Sequence, residues 1–230
     1  MSLFHPANLV CPNCQARIEM MAVGSVNADR RPDLRDEILE NRFQDVNCPK
    51  CSETFRLQPS FNYLDVERGQ WIAAMPANRL RDHLTIEDEA SELFAVSYGD
   101  KAPEGARAIG TDLRPRVTFG WPAVREKLLL REHDLDDTSV EMLKLDILRN
   151  LSSVPLSEGI EFRVVSVTEE TLELLWLETA TEKPISVVTV PRSAVDSILE
   201  RPEAWQKMRD RLEEGWFVDM QKTYMGAGRT

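Results

Sequence analysis

The sequence predicts an α+β protein. A small metal-stapled β module with one inserted helix comes first, then a helix-rich region, then a three-stranded antiparallel meander with terminal helices. Three observations predict this. All four cysteines stand in two copies of one figure, Cys-Pro-Asn-Cys from Cys11 and Cys-Pro-Lys-Cys from Cys48. Apolar residues recur at helical spacing between "WPAVREKLLLRE" and "DDTSVEMLKLDILRNL". From Ile160 the period falls to two.

Inside the first module, "RPDLRDEILENRF" reads as the helix. Pro32 suits its first position, Asp33, Asp36 and Glu37 complement the dipole at its start, and Leu34, Ile38 and Leu39 form an apolar face. "TFRLQPSFNYLDV" and "QWIAAMP" read as strands separated by "ERG", the first bulged or at a sheet edge because of Pro59. "LTIEDEASELFAVSYG" is expected to be a helix capped by Thr85, with Glu87, Asp88 and Glu89 in its first turn and Gly99 as its stop. "DKAPEGARAIGTDLRPR" concentrates Pro, Gly and charge and is expected to be loop.

Pro122 opens the next helix, and Thr138 with Glu141 stands at capping-box spacing in the one after it. That second helix, with Val140, Met142, Leu143, Leu145, Ile147, Leu148 and Leu151, has little polar face and is expected to lie between other elements. "IEFRVVSV", "LELLWL" and "ISVVTV" form the meander. "RSAVDSILE" and "PEAWQKMRDRLEEG" close the chain as helices, the latter begun at Pro202 and stopped at Gly215. Its stripe of Trp205, Met208 and Leu212 is expected to pack into a core.

Cys11, Cys14, Cys48 and Cys51 are the candidate metal ligands. Two cysteines three positions apart can bite one ion if the chain turns tightly between them, and proline at the second position pre-sets φ for that turn. Four thiolates make a closed tetrahedral shell. One structural zinc is the expected occupant, with iron in a similar four-sulfur site and thiol redox chemistry as alternatives. A redox pair belongs beside a helix N-terminus, whereas both pairs here precede strand-like sequence. His5 is a remote alternative ligand; His83 and His133 lie in charged stretches and are expected at the surface.

Of the 230 residues, 42% are hydrophobic and 29% charged, ordinary for a soluble protein. No apolar run reaches the ~18–20 residues of a membrane span, and the opening "MSLFHPANLV" lacks the pattern of a secretory signal. Paired cysteines at metal spacing fit a reducing compartment, so a cytoplasmic location is expected. The net charge is -11, and residues 1–80 hold 9 Lys and Arg against 10 Asp and Glu, so nearly all the excess lies later. That acidity disfavours nucleic acid and anionic membrane as partners.

The residues "CPNC", "SVNADRRPDLRDEILENRF", "CPKCSETF" and "NYLDVERGQWIAAMP" resemble the CpXC domain family, named for its two Cys-Pro-x-Cys motifs. The likeness is clearest over residues 11–76, and "REKLLLREHDLDDTSVEMLKLDIL" extends it. The resemblance implies a zinc-ribbon-like domain of unestablished function. One departure stands out: glycine commonly follows the second cysteine of such knuckles, where the backbone is left-handed, and here the residues are Gln15 and Ser52.

The expected organisation is a zinc-ribbon-like module over 1–80, a helix and loop connector over 81–119, and an acidic α+β domain over 120–230. The function this favours is that of a non-catalytic zinc protein docking a protein partner or assembling with itself through its C-terminal region. The apolar helix and the adjoining Trp216 and Phe217 motivate that choice, though they could equally be core. An enzyme with a carboxylate site and a nucleic-acid-associated regulator are the alternatives; no catalytic motif is recognisable.

Overall fold

The computed structural model describes residues 2–151 and 157–225. The element order is β1 (Leu3–Val10), β2 (Arg17–Asn27), α1 (Pro32–Leu39), β3 (Asp45–Asn47), β4 (Thr54–Arg56), β5 (Phe61–Asp65) and β6 (Gln70–Met75). Then come α2 (His83–Ser97), α3 (Glu104–Gly110), β7 (Arg114–Phe119), α4 (Trp121–Glu132) and α5 (Asp137–Asn150). The chain ends with β8 (Ile160–Val167), β9 (Thr171–Glu178), β10 (Pro184–Pro191), α6 (Ser193–Leu199) and α7 (Pro202–Glu213). The protein is therefore mixed α+β, with a five-stranded sheet in the order β1-β2-β5-β6-β7, a three-stranded sheet β10-β9-β8 and a two-stranded ribbon β3-β4.

In the large sheet, β1 and β2 form an antiparallel hairpin, β2 runs parallel to β5, β5 antiparallel to β6, and β6 parallel to β7. Both faces are covered. On one, Ile72 and Ala74 pack with Phe61, Tyr63 and Leu34 and Ile38 of α1, together with Trp121, Val124 and Leu128 of α4. On the other, Trp71, Ala73 and Val117 pack with Ile86 and Ala90 of α2 and with Phe217. Central strand β6 is buried along nearly its whole length, which is why "WIAAM" is a continuous apolar run rather than an alternating one.

The meander forms where expected, β8 to β9 to β10, antiparallel throughout. Leu172, Leu174 and Trp176 of β9 and Phe162 and Val164 of β8 build a core with Val140, Met142 and Leu143 of α5, Val195 and Ile198 of α6 and Trp205 and Leu212 of α7. The expected core stripe of α7 is therefore in place, with Met208 packed against it. Helix α4 links the two sheets, since Glu126 on the same helix accepts a hydrogen bond from the Val164 backbone N–H of edge strand β8 at 2.6 Å.

Several local expectations are corrected. The stretch expected as loop holds α3 and β7. Pro115 is tolerated in β7 because that strand is last in its sheet. Pro59 does not bulge a strand; it divides the segment into β4 and β5, which join different sheets. Helix α2 starts at His83 behind a 3-10 turn over Ala77–Asp82, so Thr85 lies inside the helix and is not its cap. Asp136, not Thr138, caps α5, its carboxylate accepting from the Ser139 N–H at 3.0 Å; Glu141 is buried a turn further in and points elsewhere. His83 is half-buried and rests against the Phe217 ring at 5.5 Å, and His133, also half-buried, is not a plain surface residue either.

Trp216 and Phe217 are not spare surface. Trp216 stacks edge-on against Trp71 and Phe94, and Phe217 is buried against Phe119. Glu87 of α2 fixes them, accepting the backbone N–H of both residues at 2.6 Å. A Cβ on Gly215 would stand 2.5 Å from a Glu87 carboxylate oxygen, and its φ of +89° is open to glycine alone at low cost.

Candidate metal centre

Each Cys-Pro-x-Cys lies in the turn of a hairpin. The first closes β1 to β2 and the second closes β3 to β4. The two turns are built alike. Cys11 N–H donates to Ala16 C=O and Gln15 N–H to Cys11 C=O; correspondingly, Cys48 N–H donates to Glu53 C=O and Ser52 N–H to Cys48 C=O. Gln15 and Ser52 both have φ of 59°, the left-handed conformation that glycine adopts most readily. A non-glycine residue there costs roughly 1–2 kcal/mol, small against metal binding.

The four thiol sulfurs all lie within 4.8 Å of one another. Cys11 Sγ is 3.6 Å from Cys51 Sγ, and Cys14 Sγ is 3.6 Å from Cys48 Sγ. A tetrahedron with metal–sulfur bonds of ~2.3 Å has sulfur–sulfur edges of about 3.8 Å, so the cage is already near the size an ion requires. The cysteines are free thiols, positioned to bind a metal ion. His5 sits on β1 opposite Ala22 and is not part of the cluster. Asn13 Nδ2 approaches Cys51 Sγ at 3.8 Å, a contact of the kind that orients a ligand.

The inner wall of the cage is slight. Among the described residues, Cys11 and Cys48 have Ile18 and Val46 as their buried apolar neighbours, and Leu9, Met20, Phe55 and Leu57 are partly covered around them. This cluster is separate from the cores of the large sheet.

In the metal-free cluster the thiols share protons unequally. Burial works against ionisation of Cys48, but the backbone N–H groups of Cys51 and Lys50 and the thiols of Cys14 and Cys11 outweigh it, lowering its pKa to about 6. At Cys51 the Glu53 backbone N–H favours the thiolate, yet burial and the three neighbouring sulfurs prevail and push it up to about 12. A metal requires all of its thiols ionised. Between those two values, metal binding must therefore expel at least the Cys51 proton, and affinity must fall as pH is lowered. Titration of zinc into the metal-free protein in two buffers of different ionisation enthalpy is expected to show net proton release in that range. Identical heats in both buffers would contradict the shared-proton arrangement.

The family model for the CpXC protein matches residues 9–144. The chain belongs to the CpXC family. The match runs beyond the cysteine turns through β2, β5, β6 and β7 of the five-stranded sheet and through α4 into α5, with only the end of β1 included, so the CpXC region includes the helix that reaches across to the meander. No curated protein and no solved structure matches the chain.

A second group of chemistry-bearing side chains was not singled out in the sequence. Lys144 of α5 lies 2.6 Å from Glu126 and 2.9 Å from Glu141. Arg163 of β8 pairs with Glu126 at 3.0 Å, Glu161 at 2.7 Å and Asp219 at 2.6 Å. Lys127 and Arg116 both pair with Asp137, at 2.9 and 2.7 Å. Except for the partly covered Arg116–Asp137 pair, these residues are fully buried. The signal is present in two places: Glu141 and Lys144 stand three apart within the mainly apolar stretch Val140–Leu145 of α5, and Glu161 and Arg163 alternate with apolar residues in β8. Charges at those positions must be paired within the fold.

Proposed function

We propose that this CpXC protein is a non-catalytic zinc-binding protein in which Cys11, Cys14, Cys48 and Cys51 hold one structural zinc ion. The closed four-sulfur cage carries the proposal. Four thiolates saturate a tetrahedral zinc, leaving no position for water or substrate, and this is the arrangement of structural rather than catalytic sites. Iron would fit the same sulfurs; the pairing of free thiols with hairpin turns favours zinc in a reducing cytoplasm. We further place the contacts with a protein partner, or with a second copy, in the C-terminal region. Its excess acidic charge would steer a basic surface at low salt, and β10 offers an open edge with Ile185 and Val187 exposed. The acidic balance speaks against nucleic acid, and among the described residues no helix is long and apolar enough to cross a membrane.

Elemental analysis is expected to give one zinc per chain in a colourless protein; a red, iron-loaded preparation would replace the ion, and two metals per chain would defeat the shared cage. Light scattering is expected to show self-association or a co-purified partner, lost in Val187→Lys with zinc content unchanged. A monomer that retains no partner from native cells would overturn the assembly role while leaving the zinc assignment standing.

A further inference from the structure

We infer that the metal cage governs the turn between β9 and β10 through one side chain, Arg56, so that the start of the open edge strand is held only while the cage is loaded. The inference rests on the four cysteines holding an ion, as proposed above. Arg56 is the last residue of β4, the strand that follows Cys51. That strand pairs with β3 alone, as Asp45↔Arg56, Val46↔Phe55 and Asn47↔Thr54. A two-stranded ribbon of this size is not stable without support. The second Cys-Pro-x-Cys turn closes the ribbon, so an ion that fastens Cys48 and Cys51 also fixes the backbone from which the Arg56 side chain leaves.

The side chain reaches out of the ribbon altogether. Its guanidinium lies over the Trp121 ring of α4, 5.0 Å from the centroid, donates to Asn41 Oδ1 beyond the end of α1, and forms an ion pair with Glu182. Glu182 stands in the turn that joins β9 to β10. Among the described residues this pair is the one hydrogen bond or ion pair between residues 44–57 and the meander. Its side chains are 14% and 19% exposed, so water and salt screen them less than a surface pair.

The turn needs that support. Glu182 has φ of +56°, a left-handed conformation unfavourable for a residue with a side chain. Two backbone hydrogen bonds close it, Glu182 N–H to Glu178 C=O at 2.7 Å and Glu178 N–H to Lys183 C=O at 3.0 Å. The next residues open β10, where Ile185 is exposed and the ladder slips between Pro184 and Ser186. The sulfurs already stand near the spacing of a loaded cage, so the arrangement with Arg56 on Glu182 is the one that accompanies the ion. Without the ion the ribbon unpairs as far as Leu57, whose carbonyl Trp121 Nε1 holds at 2.7 Å. Arg56 then loses the strand register that aims it at the turn.

Hydrogen exchange read by mass spectrometry on the full chain, zinc-loaded and then chelated, tests this. Chelation is expected to speed exchange over residues 178–187 about fivefold or more, the size of a modest coupling between two sites, while the buried core of β9 stays protected. Arg56→Ala is expected to keep one zinc per chain, because Arg56 is not a ligand, and to exchange at the turn as fast when loaded as the chelated wild type does. Glu182→Asn removes the carboxylate, leaves the ribbon untouched and places at the turn a residue that tolerates left-handed backbone. Its turn is expected to exchange alike with and without metal, which decides the matter should Arg56→Ala lose its zinc. Zinc bound at one per chain with turn exchange indifferent to chelation would overturn the coupling and leave the metal assignment standing. A chelation response of full size in Glu182→Asn, or one that spreads equally through β9, would also overturn it. A chain that binds no metal would overturn both readings.

Discussion

Cys48→Ser is expected to lose the metal and to unfold the two cysteine hairpins while the rest of the protein stays folded. Structural zinc contributes on the order of 10–16 kcal/mol in finger peptides, as much as the total stability of many domains, about 5–15 kcal/mol. What remains around the cage without it is Ile18, Val46 and a few half-covered side chains, too little to hold two hairpins together. The sequence alone suggests that the whole module up to residue 80 depends on the metal. The structure narrows this, because β5 and β6 share their core with α1, α2 and α4 and not with the sulfurs. Limited proteolysis read by mass spectrometry is therefore expected to cut within residues 9–20 and 44–57 and to spare β5 to β7. Chelation of the wild-type protein should reproduce the pattern. Resistance to protease along the whole chain in Cys48→Ser would mean that the metal is not structural. Cleavage spreading through β6 and α4 would mean that the two cores are coupled more tightly than their packing indicates.

What could be read from sequence follows from where each residue's partner lies. The meander was legible because Leu172, Leu174 and Trp176 alternate along one strand and bury one face, a pattern local to that segment. The cage was legible because Pro12 and Pro49 announce the turns before any tertiary contact exists. Strands β1 and β2 were not, since "LFHPANLV" is exposed along most of its length and contains Pro6, so no alternation marks it. Strand β7 is hidden in the sequence by Pro115 and by Arg114 and Arg116, which break its apolar pattern; it exists because β6 offers it a parallel partner, a contact no local window contains. In the sequence Glu87 reads as a helix-start acid. Its partner is the backbone 129 residues away.

The buried ion network sets the second large expectation: Lys144→Met destabilises the protein by about 3–5 kcal/mol, the cost of stranding a buried partner charge. Methionine nearly matches lysine in length and would fill the space, so the loss comes from charge and not from a cavity. Two carboxylates lose their closest cation. Glu126 retains Arg163 and the Val164 N–H, whereas Glu141 retains, among the described residues, the Met220 N–H and a Lys127 at 3.6 Å. Glu141 is already raised above its ordinary 4.5 by burial, with Lys144 the main group opposing that rise. Removing Lys144 raises it further. A carboxyl whose folded pKa exceeds its unfolded one is stabilising when protonated, so the deficit of Lys144→Met should shrink as pH falls through the raised Glu141 pKa and widen above it. Adding Glu141→Gln removes the stranded charge. The double variant Lys144→Met/Glu141→Gln is thus expected to be more stable than Lys144→Met at neutral pH, although it departs further from the natural sequence. Denaturant titrations followed by tryptophan fluorescence, with Trp176 and Trp205 buried in the core that α5 helps to form, give these differences directly. If Lys144→Met cost less than about 1 kcal/mol at neutral pH, within the range of exposed pairs, or if the double variant were simply the sum of two losses, water would be reaching these charges and the network would not be the sealed one described above.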